Sequence, residues 1–145
     1  MGFGISNRFI RNLEPQMKNP FGIGDKKLYS KTVLPNEIAA FENGVVHQLY
    51  STFYLAKDAE WSTRLFVLDM KEEDEEGIGT FIEIKHLSPT LVNNRVDFIS
   101  RLDEVKGHEI ICSFEAKVGE RLIATGRTGQ KILKKEKLDK LLSNI

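Results

Sequence analysis

The chain has 145 residues, 41% hydrophobic and 29% charged, with 21 Lys and Arg against 21 Asp and Glu. A domain of this length buries about two-thirds of its unfolded surface without staples, which excludes a disordered chain, a collagen-like repeat and a disulfide scaffold. The balanced charge argues against nucleic acid held by a bulk positive field, and the single Cys112 excludes an internal disulfide and a cysteine-based zinc site.

Residues 1–26 are rich in Gly, Asn and Pro, with a break at Asn19-Pro20-Phe21-Gly22, and predict an irregular N-terminal arm ahead of one domain over 27–145. Met1-Gly2-Phe3-Gly4-Ile5-Ser6 fits the loose N-myristoylation pattern, which six common residues often match by accident. Arg8 and Arg11 interrupt Phe3, Ile5, Phe9 and Ile10, so no signal peptide is expected there. No apolar run reaches the ~18–20 residues of a membrane span. A cytoplasmic location is expected.

Leu28–Leu34 reads as a short strand stopped by Pro35-Asn36. Glu37–Phe41 reads as one helical turn before the Asn43-Gly44 break, and the segment holding His47 reads as irregular. Ser51 and Thr52 are both N-cap types, and Phe53–Leu68 runs without Gly or Pro, which predicts a helix. Leu55, Ala56, Ala59, Leu65 and Phe66, with Trp61 and Val67 widening the belt, make it apolar on most sides. Such a helix is surrounded by other elements. Glu72-Glu73-Asp74-Glu75-Glu76-Gly77 then reads as a solvated loop without the spacing of a calcium site.

From Gly79 the period changes to two. Thr80, Ile82, Ile84 and His86 share one face, and Phe81, Glu83 and Lys85 share the other. Val96, Phe98 and Leu102 line up next, then Ile110, Cys112, Phe114, Ala116 and Val118 after Lys106-Gly107, then Leu122, Ala124 and Gly126 after Gly119. Clean alternation between short turns predicts an antiparallel meander with one wet face. Only the apolar helix can cover the other, so the class is α+β, an antiparallel sheet wrapped around one central helix. Lys131–Ile145 reads as a short amphipathic terminal helix.

Three side chains stand out. The pleat turns His86 toward the helix at a strand end, partly buried, as a satisfied core histidine or as a base. Glu60, beside Ala59 and Trp61, either faces solvent or needs a partner such as His86 or Arg64. Thr52 serves as an N-cap, at a helix end that favours anionic oxygen. If both are helical, Thr52 and Glu60 stand about 12 Å apart, so a site shared by them needs a second subunit or a Thr52 lying off the helix end. His108 falls in an exposed turn, and Cys112 alternates with core residues as a small hydrophobe. No Gly-x-Ser-x-Gly elbow, P-loop or dinucleotide fingerprint occurs. Asp103 and His108 have a hydratase-like spacing but straddle a hairpin, which makes the match a coincidence.

The stretch Gly79-Thr80-Phe81-Ile82-Glu83-Ile84-Lys85-His86-Leu87-Ser88-Pro89-Thr90 resembles the signature of the hotdog-fold thioesterases related to fluoroacetyl-CoA thioesterase. Asp103–Glu109 and Phe114-Glu115-Ala116 are similar to that family's third and fourth strands, and Ser51-Thr52, Glu60, Gly79 and His86 keep its spacing without a gap. The resemblance covers about residues 46–137. It implies a hotdog fold, a homodimer with sites between subunits, and hydrolysis of an acyl-CoA to a carboxylic acid and free CoA. Neither a metal nor a separate cofactor is implied, CoA being part of the substrate. It further implies a catalytic set of Thr52, Glu60 and His86: the histidine as base or nucleophilic assistant, the glutamate orienting it, the threonine touching thioester or water. Gly79 would bring backbone close to the substrate. Two departures stand beside these: Gln130 where the family commonly has an arginine, and a Phe41–Tyr50 segment that does not match, so fluoroacetyl specificity does not carry over. The alternative is a non-catalytic hotdog module that binds an acyl thioester or serves as a dimeric interaction protein.

Overall fold

The computed structural model describes residues 14–145; the N-myristoylation pattern and the first half of the arm lie outside them. The elements run β1 Lys26–Thr32, β2 Ile38–Phe41, β3 Gly44–Tyr50, α1 Thr52–Met70, β4 Glu75–His86, β5 Arg95–Lys106, β6 Glu109–Val118, β7 Arg121–Lys134 and α2 Lys135–Ser143. β1, β5, β6, β7 and β4, in that spatial order, form an antiparallel sheet, and β2 pairs with β3 beside it. Of the four strands from Gly79 onward expected to form a meander, β5, β6 and β7 do so, their two turns made by Gly107 and Gly119 at φ +59° and +58°, whereas β4 pairs with β7 and not with its sequence neighbour β5. β4 is a sheet edge. No described helix is long and apolar enough to cross a membrane.

The sheet wraps α1 because most inward strand positions meet it with an apolar side chain. Leu55, Ala59, Phe66, Val67 and Met70 of the helix are buried, as are Val96, Phe98 and Leu102 of β5 and Cys112, Phe114 and Ala116 of β6. A core Phe such as Phe66 contributes about 1.5–3 kcal/mol when fully buried. Small residues set the distance of approach. Ser62 is wholly buried, and the Ser100 hydroxyl on β5 donates to its carbonyl at 2.9 Å. Residues 14–25 close the far end of the core: Lys18 N–H donates to Met70 O at 2.7 Å, and Phe21 meets Phe66 edge-on at 5.0 Å.

Several expectations are corrected. Glu37–Phe41 is not a helical turn, since Ile38–Phe41 pairs with β3 around Glu42-Asn43, with Gly44 at φ +115°. Four residues cannot sustain a helix nucleus, whereas Asn43-Gly44 is a hairpin signal. His47 therefore lies on a strand. The solvated acidic loop is shorter than expected, because β4 begins at Glu75 and that side chain is completely buried. The amides of Gln16 and Glu72 donate to its carboxylate at 2.7 and 2.8 Å, which is how a charge is held inside. His108 is half-buried rather than exposed. β7 runs to Lys134 before α2 begins, so the terminal helix starts later than Lys131. A register shift opposite Ala116 and Lys117 adds Ile123 to the core next to Ala124.

The alternation along β4 is also broken. A bulge between Gly79 and Phe81 turns Thr80 off the helix face, and its hydroxyl donates to Glu109 on β6 at 2.9 Å. With that extra residue absorbed, Gly79 and His86 face the helix together although seven positions separate them: one abuts Glu60, the other reaches Thr52.

Candidate active site

Ser51 caps α1, its side chain accepting the Tyr54 N–H at 3.2 Å. Thr52 is thus the first helical residue and not the cap, which leaves its hydroxyl for another partner. That partner is His86: Thr52 Oγ1 lies 2.8 Å from His86 Nε2. The two elements meet there because α1 runs back along β4, its start against the strand's end. Both side chains are exposed in the single chain, so His86 is not partly buried as the pleat alone suggests. The edge position of β4 is the reason.

Glu60 sits about 12 Å further along the helix. Neither expected partner takes it within this chain. Arg64 bonds Glu76 at 2.6 Å and the Gly77 carbonyl at 3.3 Å instead. The Glu60 carboxylate lies against Gly79, where a Cβ would stand only 2.7 Å from Oε1. Gly79 therefore makes room for an acid. Seven residues of strand, up to about 23 Å, separate it from His86. The fold joins Thr52 to His86 and Glu60 to Gly79, and it keeps these two pairs apart.

Glu60 is anchored by residues that pattern reading did not select. Thr63 Oγ1 donates to the Glu60 carbonyl at 2.9 Å and accepts from Thr128 Oγ1 at 2.8 Å and Gln130 Nε2 at 3.2 Å. One donated and two accepted bonds saturate a hydroxyl. All three side chains are buried, and Gln130 is the register partner of Gly79.

A cavity of about 720 Å³ opens beside Thr52 and His86. Its walls come chiefly from the β2–β3 hairpin and the first turn of α1, including Phe41, Val46, Leu49 and Phe53. His47 also lines it, which gives that histidine a place the sequence left open. Behind the wall, the Tyr50 hydroxyl donates to Asp58, and Lys31 bonds Asp58 at 3.0 Å and also Glu37. Burial pushes the Tyr50 hydroxyl above its ordinary value, and Asp58 adds to this. Burial opposes the charge on Lys31, but its bonds to Glu37 and Asp58 prevail and raise it. This network fixes the junction between the hairpin and α1. Cys112 is buried in the core, its thiol pushed up to about 12 by burial and then by Asp103, so it is no nucleophile.

A family model described as Fluoroacetyl-CoA-specific thioesterase matches residues 33–136. A thioesterase superfamily member from Thermus thermophilus shares 33% identity over 88% of this chain and 94% of its own, with a TM-score of 0.83. At 19% identity, a point variant of the fluoroacetyl-CoA-specific thioesterase FlK covers 88% of this chain and 98% of its own with a TM-score of 0.78. A hot-dog-like protein from Thermanaerovibrio acidaminovorans, 18% identical, gives 0.77 over 86% of this chain and 92% of its own. The comparison with curated proteins finds no match. The helix-wrapping sheet is the hotdog fold, and with the family model spanning most of its length the chain belongs to the fluoroacetyl-CoA-specific thioesterase family and is a thioesterase.

Proposed function

We propose that the protein is a homodimeric acyl-CoA hydrolase whose site combines Thr52 and His86 of one protomer with Glu60 of the other. The observation that carries this reading is the 2.8 Å contact between Thr52 Oγ1 and His86 Nε2 at the start of α1, on the wall of an apolar cavity. The distance of Glu60 from that pair supports a second protomer. Among the described residues β4 is an unpaired edge, and edges of this length are normally covered. Antiparallel pairing of two β4 strands about an axis at Glu83, with the Thr80 bulge absorbed, would set His86 opposite the partner's Gly79, and so beside the partner's Glu60. Ile82, 40% exposed, would be covered by the same contact.

In this reading Thr52 and the partner's Glu60 hold His86 in one tautomer, with Nδ1–H directed to the carboxylate and Nε2 left basic. Nε2 takes a proton from a water held by Thr52 as the water oxygen bonds to the thioester carbon. Negative charge develops on the carbonyl oxygen. Ser51 already satisfies the Tyr54 and Leu55 amides, so those of Thr52 and Phe53 are left at the positive helix end to receive it. When the intermediate collapses the C–S bond breaks, and His86 returns its proton to the CoA thiolate. The products are a carboxylic acid and free CoA.

The test is complementation. His86→Ala and Glu60→Gln each lower kcat/KM by about 10²-fold or more, the scale of a lost general base. Mixed dimers of the two variants regain activity, because one of their two sites holds an intact His86 and an intact Glu60. Mixed dimers as inactive as either parent would rule out the shared site.

A further inference from the structure

We infer that the site takes an uncharged, apolar acyl group well above acetyl in size, a medium-length, branched or aromatic one, which the β2–β3 hairpin and Phe53 hold. The inference rests on the proposed placement of the thioester carbonyl at Thr52 and His86.

The cavity that begins at this pair measures about 720 Å³, within the range of sites that enclose whole organic ligands. A two-carbon acyl group would leave most of it to water. Among the described residues no Asp, Glu, Lys or Arg lines it. Four of its polar side chains are already engaged: the Tyr50 hydroxyl with Asp58, Ser51 with the Tyr54 amide, Ser88 with Arg121 at 2.5 Å, and Thr52 with His86. Phe41, Val46, Phe53 and Leu87 are 74%, 59%, 72% and 46% exposed around it, an apolar surface of the kind that marks a binding groove. An acyl chain extending from the carbonyl would lie on that surface and remove it from water. A carboxylate at the far end of the acyl group, as in succinyl-CoA, would give up its hydration with no Lys or Arg to meet it. His47 brings an imidazole to the wall that such an acid can address, so the test includes that substrate.

Thiol release by the full chain is measured with acetyl-, butyryl-, hexanoyl-, isovaleryl-, phenylacetyl- and succinyl-CoA. The expected result is a kcat/KM for hexanoyl- or phenylacetyl-CoA at least about 10²-fold above acetyl-CoA, since each added methylene in an apolar pocket is worth about tenfold or more. Succinyl-CoA falls below butyryl-CoA. Val46→Asp, at an exposed strand position, lowers the hexanoyl-to-acetyl ratio by about tenfold or more. Preference for acetyl- or succinyl-CoA, or a ratio untouched by Val46→Asp, overturns the inference while leaving the hydrolase reading intact. If no thioester is turned over, that reading fails instead. Calorimetry of hexanoyl- against acetyl-CoA binding then decides the acyl preference by itself: tighter hexanoyl-CoA upholds it, and equal affinities overturn it.

Discussion

Gly79 is defined by what a side chain there would displace. An alanine Cβ would stand 2.7 Å from the Glu60 carboxylate, the free end of a flexible side chain, so the acid swings aside and the backbone need not move. Gly79→Ala is therefore expected to change stability by no more than about 0.5 kcal/mol, as at other exposed positions. It is expected to lower kcat/KM by about 10²-fold, the effect of displacing a catalytic group by roughly an ångström. Thermal melts and thiol-release kinetics on the same sample check both halves. Thr63 gives the opposite outcome. Thr63→Val leaves the buried Thr128 and Gln130 donors without their acceptor and costs about 1–3 kcal/mol, read from urea midpoints. The sequence showed His86 because the pleat turns it toward the helix, Glu60 because it interrupts an apolar helix and Thr52 because it stands at a helix start, and the family resemblance joined the three. It did not show Thr63 or Thr128, because a threonine on an apolar face has no distinguishing pattern until its partners are known.

At the scale of elements, α1 and the β5–β6–β7 meander were legible because each keeps one period, 3.6 or 2, over most of its length, and a cap or glycine at its ends. The β2–β3 hairpin was not. Its strands are short, both lie largely exposed, and the pairing is irregular between Ile38 and Ala40, so neither period survives. The start of β4 was hidden under the acidic run, where charge suggested solvent and the buried Glu75 contradicts it. That junction carries a pH prediction. The Arg64 guanidinium, bonded to Glu76 between α1 and β4, holds that carboxyl below its usual 4.5, with the Gly77 amide assisting. A carboxyl lowered on folding stabilises the fold above its unfolded value and loses that contribution as pH falls through the lower folded value. The stability difference between wild type and Glu76→Gln is thus present at pH 6 and shrinks on acidification below about 4.5. Urea unfolding at pH 6, 4.5 and 3.5 measures it; a constant difference would show that the ion pair contributes nothing.

For the whole molecule, the proposed function assigns one second copy both to the β4 edge, unpaired among the described residues, and to the separation of Glu60 from His86. Light scattering is expected to give twice the chain mass. Ile82→Lys places a charge next to the proposed axis, in the contact between the two strands, and is expected to yield a folded monomer with hydrolysis reduced by about 10²-fold, as when Glu60 is removed. A monomeric variant that kept full activity would show that one chain suffices. The antiparallel sheet and its covering helix could be read from one chain's pattern, whereas a site divided between copies leaves only half of its geometry in any one of them.

The bulge at Thr80 has a consequence for how this strand can change length. It carries one surplus residue between two positions that must both look at the helix, and a regular strand meets that condition only for even separations. Removing Thr80 alone would straighten the ladder and still leave both ends in phase. Removing any one residue from Ile82 to Lys85 while the bulge stayed would rotate one end to the opposite side. Single-residue insertions and deletions in this strand should accordingly be survivable at the bulge and damaging beyond it, so the irregular point of β4 is also the place where its length is free to vary.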